Sequence, residues 1–460
     1  MQFHDLIETF TQQDVDLTRV FHDVSVYNAH VADAAHMENV ASLACRTALA
    51  RKGVAHLSIA SDIQEQESDP SKRSKRNRPA HTPQDMFAGH SVPLDVEFDK
   101  AAAILNDASR VAILAGRGAI GAAAELEHTA RLLQAPVAML GKAVLPDDHP
   151  YTTGGIGILG TLASQEAMES CDAVLIVGST FPYIEYYPQP GQARGVQIDC
   201  DAQRIGLRFP VEAGLVGDAT ETLRALNQRL TQKPSDEFLR RSQETMRKWR
   251  EMMRQSEDVQ AQPLKPQAIA RAFGQRLADD TVLATDSGQN TELAARHVDL
   301  RSGQAFGVSG SLASMACGLA YAIAAGIAFP GRPIAAIVGD GGFAMQLGEF
   351  STAVRYKIPL KVLVIKNNML NQIAWEQMMF LGNPQFGCEL QPIDFAMAAE
   401  AMGAKGFRIE RADQIEMVLD QAFATQGPVV IEALVDAYEP LMPPKMPADY
   451  AKNFRQALPR

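Results

Sequence analysis

Short apolar runs alternate along this chain with longer stretches whose apolar positions recur every three or four residues. Runs at Val111–Ala115, Val137–Leu140, Ala173–Val177 and Gly195–Asp199 read as strands with helices between them. The alternation returns at Thr281–Thr285, Ile334–Val338, Lys361–Ile365 and Pro428–Ala433. Strands that are apolar almost throughout are buried on both faces, so the pattern predicts parallel sheets covered by helices on each side. Nearer the N-terminus, His36–Arg51 reads as a helix with Val40, Leu43, Ala44, Thr47 and Ala48 on one face, leading through Gly53 into a strand, Val54–Ala60.

Two composition shifts divide the chain. Ser68–Pro93 turns to Ser, Pro and charge, and its basic cluster of Lys72, Arg73, Lys75, Arg76 and Arg78 reads as a solvated connector rather than a phosphate site. Ser235–Ala261 is charged and helix-prone. The expected organisation is a partial α/β unit at 1–66, a linker at 67–94, a central α/β domain at 95–232, a helical connector at 233–262, a second α/β domain at 263–436 and a tail at 437–460. The fold class is therefore α/β, with doubly wound parallel-sheet domains in series. One helix and one strand cannot close a core, so the first unit reads as the end of a domain whose sheet edges stay uncovered.

Composition narrows the function classes. Hydrophobic residues make up 46% and charged residues 21%, the usage of an ordinary globular protein. A net charge of −11 argues against nucleic acid as a partner, since phosphate contacts need an excess of Lys and Arg. Cys45, Cys171, Cys200, Cys317 and Cys388 are odd in number and form no C-x-x-C, as expected of reduced thiols in the cytoplasm. No secretory leader is legible in the first 20 residues. Phe306–Gly331 carries no charge, but it is mostly Gly, Ala and Ser and runs into a strand, so a buried helix is expected there rather than a membrane span.

The chemistry is concentrated in Ile334–Asn368. Ile334-Ala-Ala-Ile-Val-Gly-Asp-Gly-Gly-Phe343 sets an acid between glycines at the carboxyl end of a strand, where open parallel sheets bind ligands. Glycines let backbone amides approach phosphate oxygens, and Asp340 offers a hard oxygen to a cation bridging those phosphates. A helix at Leu347–Tyr356 and a further strand follow, ending in Lys366-Asn367-Asn368, so an amide oxygen arrives at a neighbouring strand end about 27 residues on. Gly-Asp-Gly alone is often only a turn; the combination carries the reading.

This segment, extended through Met369, Leu370, Asn371, Gln372 and Ile373, resembles the diphosphate-binding domain of the thiamine diphosphate enzymes, specifically pyruvate oxidase, quinone-linked pyruvate dehydrogenase and acetolactate synthase. The resemblance implies Mg²⁺ held by Asp340, Asn367 and the carbonyl of Met369, with Gly341, Gly342 and Leu370 against the cofactor. Upstream, Gly310-Ser-Leu-Ala-Ser-Met-Ala-Cys-Gly-Leu319 resembles the segment in which a large side chain bends the cofactor, which falls to Met315 with Ala313 and Ser314 beside it. Asp286, Ser287, Gly288 and Gln289 look similar to the loop that meets the diphosphate from the other side.

In the central domain, Gly116-Arg-Gly-Ala-Ile-Gly121 mimics a dinucleotide fingerprint, but the next strand ends in Gly141-Lys142 with no acid for a ribose. Ile156, Gly157, Ile158 and Leu159, the run Ser179, Thr180, Phe181, Pro182 and Tyr183, and Asp199 instead resemble the FAD-contacting positions of pyruvate oxidase. The alternative is a flavin-free domain of the same fold. By resemblance, Gln372 and Glu376 face the substrate, Gln372 standing where several members carry an aromatic.

The family implies oxidative decarboxylation of a 2-keto acid such as pyruvate. Electrons would pass through FAD to a quinone or oxygen, in a homodimer or homotetramer. A carboligase like acetolactate synthase is the enzymatic alternative. The glutamate with which the family tunes its cofactor is expected upstream of Met1. His36-Met-Glu38 reads as surface rather than as a substitute, and the parent enzyme is expected to be longer at both ends. A cofactor-binding, non-catalytic fragment is therefore the third reading.

Overall fold

A computed structural model describes residues 3–67, 69–76, 89, 91–142, 144–440 and 442–458, in two compact units, Met1–His90 and Ser91–Arg460. The first unit is built on a β-α-β element. Strands β1 (Tyr27–Val31) and β2 (Ala55–Ile59) pair in parallel, joined by the helix Ala34–Arg51. Asp33 caps that helix, accepting from the N–H of Ala35 at 2.8 Å, and Lys52 stops it in the left-handed conformation with φ 49°. Val31, Val40, Ala44, Ala60 and Ile63 form its small core. Strand β1 is absent from the sequence reading because Asn28 and His30 interrupt its apolar pattern. Leu43, expected on the inward face, is 51% exposed. Arg73 also departs from the solvated-linker reading: it folds back onto Glu38 as an ion pair, and so assigns that acid a surface pairing role. Arg78 lies outside the described residues.

The second unit holds two six-stranded, all-parallel sheets. The central sheet comprises β3 (Val111–Ala115), β4 (Val137–Met139), β5 (Thr152–Gly155), β6 (Ala173–Val177), β7 (Arg194–Asp199) and β8 (Ala213–Val216), in the order β5-β4-β3-β6-β7-β8. Every residue of β3 and β6 is buried, which is what their unbroken apolar runs require. Strand order reverses between β3 and β6, the crevice where doubly wound sheets take ligands. Two glycine loops touch at that point. Gly118 donates to the carbonyl of Gly178 at 3.1 Å, and a Cβ on Gly178 would lie 2.5 Å from the Cα of Gly118. The fingerprint-like glycines therefore let two loops touch, in keeping with the absence of a ribose-binding acid.

The C-terminal sheet comprises β9 (Val282–Thr285), β10 (Ala305–Gly307), β11 (Ile334–Gly339), β12 (Leu360–Lys366), β13 (Lys405–Ile409) and β14 (Val429–Leu434), in the order β10-β9-β11-β12-β14-β13. Separate apolar clusters cover its two faces, one around Phe273, Ile337 and Leu419, the other around Phe343, Phe350 and Phe395. The connector is one helix, Glu237–Ser256, with Leu239 and Trp249 turned inward. The charge-free stretch after Phe306 is not one long buried helix. It begins in β10, forms a helix only over Cys317–Ala328, and leaves Tyr321, Ile327 and Phe329 exposed. Among the described residues no helix is long and apolar enough to cross a membrane.

Candidate active site

Strands β9, β11 and β12 are hydrogen-bonded neighbours, so their carboxyl ends bring Asp286, Asp340 and Asn367 together although 81 positions separate the first from the last in sequence. Asp340 is not in a loop: the strand runs through Gly339 straight into a helix, Asp340–Met345, ahead of the predicted helix, which is itself a 3₁₀ turn followed by Phe350–Arg355. The Asp340 carboxylate is buried and held by three backbone N–H groups. Oδ1 accepts from Gly341 at 2.8 Å, and Oδ2 accepts from Asn368 at 2.6 Å and Asn367 at 3.1 Å. Burial nevertheless outweighs these donors and raises its pKa above the ordinary carboxylate value.

Asn367 is fixed by its own turn, with Oδ1 accepting from the N–H of Met369 at 3.0 Å. Asn368 turns the chain in the left-handed region, φ 57°, a conformation asparagine tolerates. The loop is pinned from outside: Leu370 donates to the carbonyl of Cys388 at 2.7 Å, and Leu390 donates to the carbonyl of Asn368 at 2.8 Å. A buried pair, Lys366 to Glu432 at 2.6 Å, secures the strand just before Asn367.

Asp340, Asn367 and Met369 line one cavity of about 500 Å³. Their donors are hard oxygens from one carboxylate, one amide and one backbone carbonyl, the set that suits Mg²⁺ and leaves coordination positions for phosphate and water. No cluster of three or more His, Cys, Asp or Glu suited to a metal occurs among the described residues. The site fits the cation and diphosphate that the resemblance implies.

Gly341, Gly342 and Leu370 share this wall. The structure gives both glycines a packing reason as well: a Cβ on Gly341 would lie 2.9 Å from Leu370 Cδ2, and one on Gly342 would overlap the Asp286 carboxylate. Asp286 itself is buried. Its Oδ1 accepts from the N–H of Gly318 at 2.6 Å, Oδ2 has no hydrogen-bond partner, and burial pushes its pKa up to about 6. Ser287, Gly288 and Gln289 follow it along the cavity at the start of the helix Gln289–His297.

Met315 and Ala313 line the cavity; Ser314 does not. Both alanines flanking this segment, Ala313 at φ 49° and Ala316 at φ 65°, are left-handed, so Met315 stands on a tightly turned segment before the helix Cys317–Ala328 rather than on the helix. Gln372 and Glu376, one turn apart on the helix Asn371–Leu381, face the same space, with Gln372 Nε2 donating to Glu376 Oε1 at 2.9 Å.

The predicted flavin positions divide. Ile156, Gly157, Ile158 and Leu159 line the same cavity as Asp340, and so do Phe181 and Tyr183. Ser179, Thr180, Pro182 and Asp199 lie off its wall. Ser179 Oγ accepts from the N–H of Phe181 at 3.2 Å, and buried Asp199 accepts from the N–H of Asp201 at 3.0 Å, so both shape local turns. Lys142 and Asp147 also reach the cavity, paired at 2.6 Å, and went unnoticed in the sequence. The signal available was Gly141-Lys142 at a strand end, read above only for the acid it lacks.

Comparison with known proteins agrees with this geometry. The family model described as thiamine pyrophosphate enzyme, C-terminal TPP binding domain, matches residues 286–433, and the one described as thiamine pyrophosphate enzyme, central domain, matches residues 98–226. A protein of Bacillus subtilis whose name describes it as thiamine pyrophosphate-containing is 36% identical over 444 residues, covering 96% of this chain and 75% of that protein. A protein of Methanocaldococcus jannaschii named as an acetolactate synthase large subunit is 30% identical, with 94% of this chain and 75% of that protein covered. The pyruvate oxidase of Lactiplantibacillus plantarum is 28% identical, with 96% and 74% covered.

Proposed function

The chain belongs to the thiamine pyrophosphate enzymes, related to acetolactate synthase and pyruvate oxidase, and from that premise we propose that it decarboxylates a small 2-keto acid, pyruvate foremost. The observation that carries this is a shared cavity: Asp340, Asn367 and Met369, which would hold Mg²⁺ and the diphosphate, open onto the same space as Gln372 and Glu376. When bound, thiamine diphosphate supplies the electron sink that lets CO₂ leave a 2-keto acid. The chain's residues would do the rest. Asp340 and Asn367 anchor the cation, Met315 sets the cofactor's conformation, and Glu376, oriented by Gln372, handles a proton beside the reacting carbon.

Carboligation, in which a second keto acid takes up the two-carbon unit, is the first reading, in line with the acetolactate synthases among the relatives. A second reading, oxidation through FAD to a quinone or oxygen, draws on the placement of Ile156–Leu159, Phe181 and Tyr183 on the same cavity. Exposed Tyr321, Ile327 and Phe329 on and beside one helix support a homodimer or homotetramer. The test is turnover of pyruvate with thiamine diphosphate and Mg²⁺. Acetolactate formation supports the first reading, and reduction of an artificial acceptor by a yellow, flavin-loaded preparation supports the second. CO₂ release no faster than with free cofactor, with no accelerated exchange of the thiazolium C2 proton, leaves the chain as a binding protein without turnover.

A further inference from the structure

Arg296 is a buried cation that the chemistry above does not use. It lies one turn after Glu292 on the helix whose first residues, Gln289 to Thr291, line the cavity, and the two form an ion pair with side chains 3% and 9% exposed. Two of its N–H groups also reach outside the domain, while Nε is buried without a partner. Nη2 donates to the carbonyl of Ile158 at 2.8 Å, on the cavity wall supplied by the central domain, and Nη1 donates to the carbonyl of Met442 at 2.7 Å, in the C-terminal segment. The guanidinium also lies over the ring of Trp249 of the connector helix, 5.3 Å from its centroid. One side chain thus meets three segments remote in sequence, besides its own helix.

Burying such a pair is expensive, and a well-packed apolar pair would serve stability as well or better, so its presence points to a geometric role. The planar fork suits that role: two N–H directions fixed in one plane reach two carbonyls at once, which a lysine's single nitrogen cannot reproduce. Other ties across this cavity run through Asp147, which accepts from the N–H of Leu300 at 2.7 Å and donates its own N–H to the Leu300 carbonyl at 2.9 Å, and through Lys142, which donates to the carbonyl of Val298.

We propose that Arg296 is a positioning residue, holding the Ile156–Leu159 wall and the Met442 segment in register with the diphosphate half of the cavity. The inference builds on the proposed use of that cavity, so its test needs a readout independent of any cofactor. Hydrogen exchange is measured on the full, unliganded chain and on Arg296→Lys and Arg296→Met, alongside FAD and thiamine diphosphate titrations. In Arg296→Lys, amides of residues 155–161 and 440–443 should exchange about tenfold faster while β3, β6 and β11 change less than about twofold. FAD affinity should fall by a similar factor, and thiamine diphosphate affinity should hold. Unchanged exchange at both segments overturns the proposal, as does uniform acceleration throughout the unit. Should Arg296→Met fail to fold, the lysine variant decides. A wild-type chain that binds no FAD removes the flavin reading and leaves the exchange comparison to judge Arg296.

Discussion

Gly342 has no room for a side chain because Asp286, from the neighbouring strand end, already occupies the space: a Cβ at Gly342 would overlap Asp286 Oδ2. Two of the three strand ends that build the site are therefore in direct contact. Gly342→Ala should push that carboxylate aside, with an overpacking penalty of about 1–3 kcal/mol. Thermal melting and cofactor titration should show a lower midpoint and at least about tenfold weaker thiamine diphosphate binding. Adding Asp286→Ala should recover part of the lost midpoint; no recovery places the strain elsewhere.

Asp340 is the single carboxylate among the three donors assigned to the cation, so most of the metal's charge compensation from the protein rests on it. Asp340→Asn keeps the size but turns an NH₂ toward backbone N–H groups that now donate to the carboxylate. The chain should stay folded while Mg²⁺ affinity, read from Mg²⁺ titrations of cofactor-induced fluorescence quenching, falls about a hundredfold or more. A variant with wild-type Mg²⁺ dependence would remove Asp340 from the metal site.

Much of this site was legible because Asp340 and Asn367 sit at the ends of consecutive, adjacent strands, so their spacing in sequence is dictated by one helix and one strand. Strands β5, β8, β10 and β13 were not legible. Each is short and weakly apolar, with glycines in Thr152–Gly155, Ala213–Val216, Ala305–Gly307 and Lys405–Ile409, and all four are the edge strands of their sheets. Ser179 and Asp199, expected at the flavin, lie off the cavity wall and each accepts a hydrogen bond in a local turn. Ser and Asp at strand ends serve turns as readily as ligands, and only coordinates distinguish the two. Arg296 could not be read at all, since Ile158 and Met442 lie 138 and 146 positions away.

Lys361 gives a pH test away from the cavity. It is buried at the start of β12, donates to the carbonyls of Thr425 and Gly427 beyond a helix end, and burial pushes its pKa down to about 8 from 10.5. Because the folded value is the lower one, the unfolded chain binds more protons between these limits, and linkage makes stability rise with pH across that window. Below about pH 8 both states are charged and the full cost of burying the ammonium is felt; above about 10.5 it vanishes. Chemical-denaturation midpoints of the wild type should therefore gain on those of Lys361→Met as pH climbs from 8 to 10.5. A difference that is flat over this range would show that Lys361 is not desolvated as the structure has it.

Gln372 and Glu376 separate the chemistry from the binding. The amide's nitrogen faces the carboxylate, so the pair has a defined orientation, while Gln372 Oε1 is buried without a partner. Neither residue touches the Asp340 loop through a hydrogen bond, and a change here should leave Mg²⁺ and cofactor binding intact. Glu376→Gln preserves the shape and removes the proton carrier, so kcat should drop about a hundredfold with KM altered less than about threefold. Gln372→Leu deprives the carboxylate of its donor and should act more mildly on kcat than Glu376→Gln, again with KM little changed. If Glu376→Gln turns over at the wild-type rate, the helix face is only a wall of the cavity, and the proton must be handled by a group on another element.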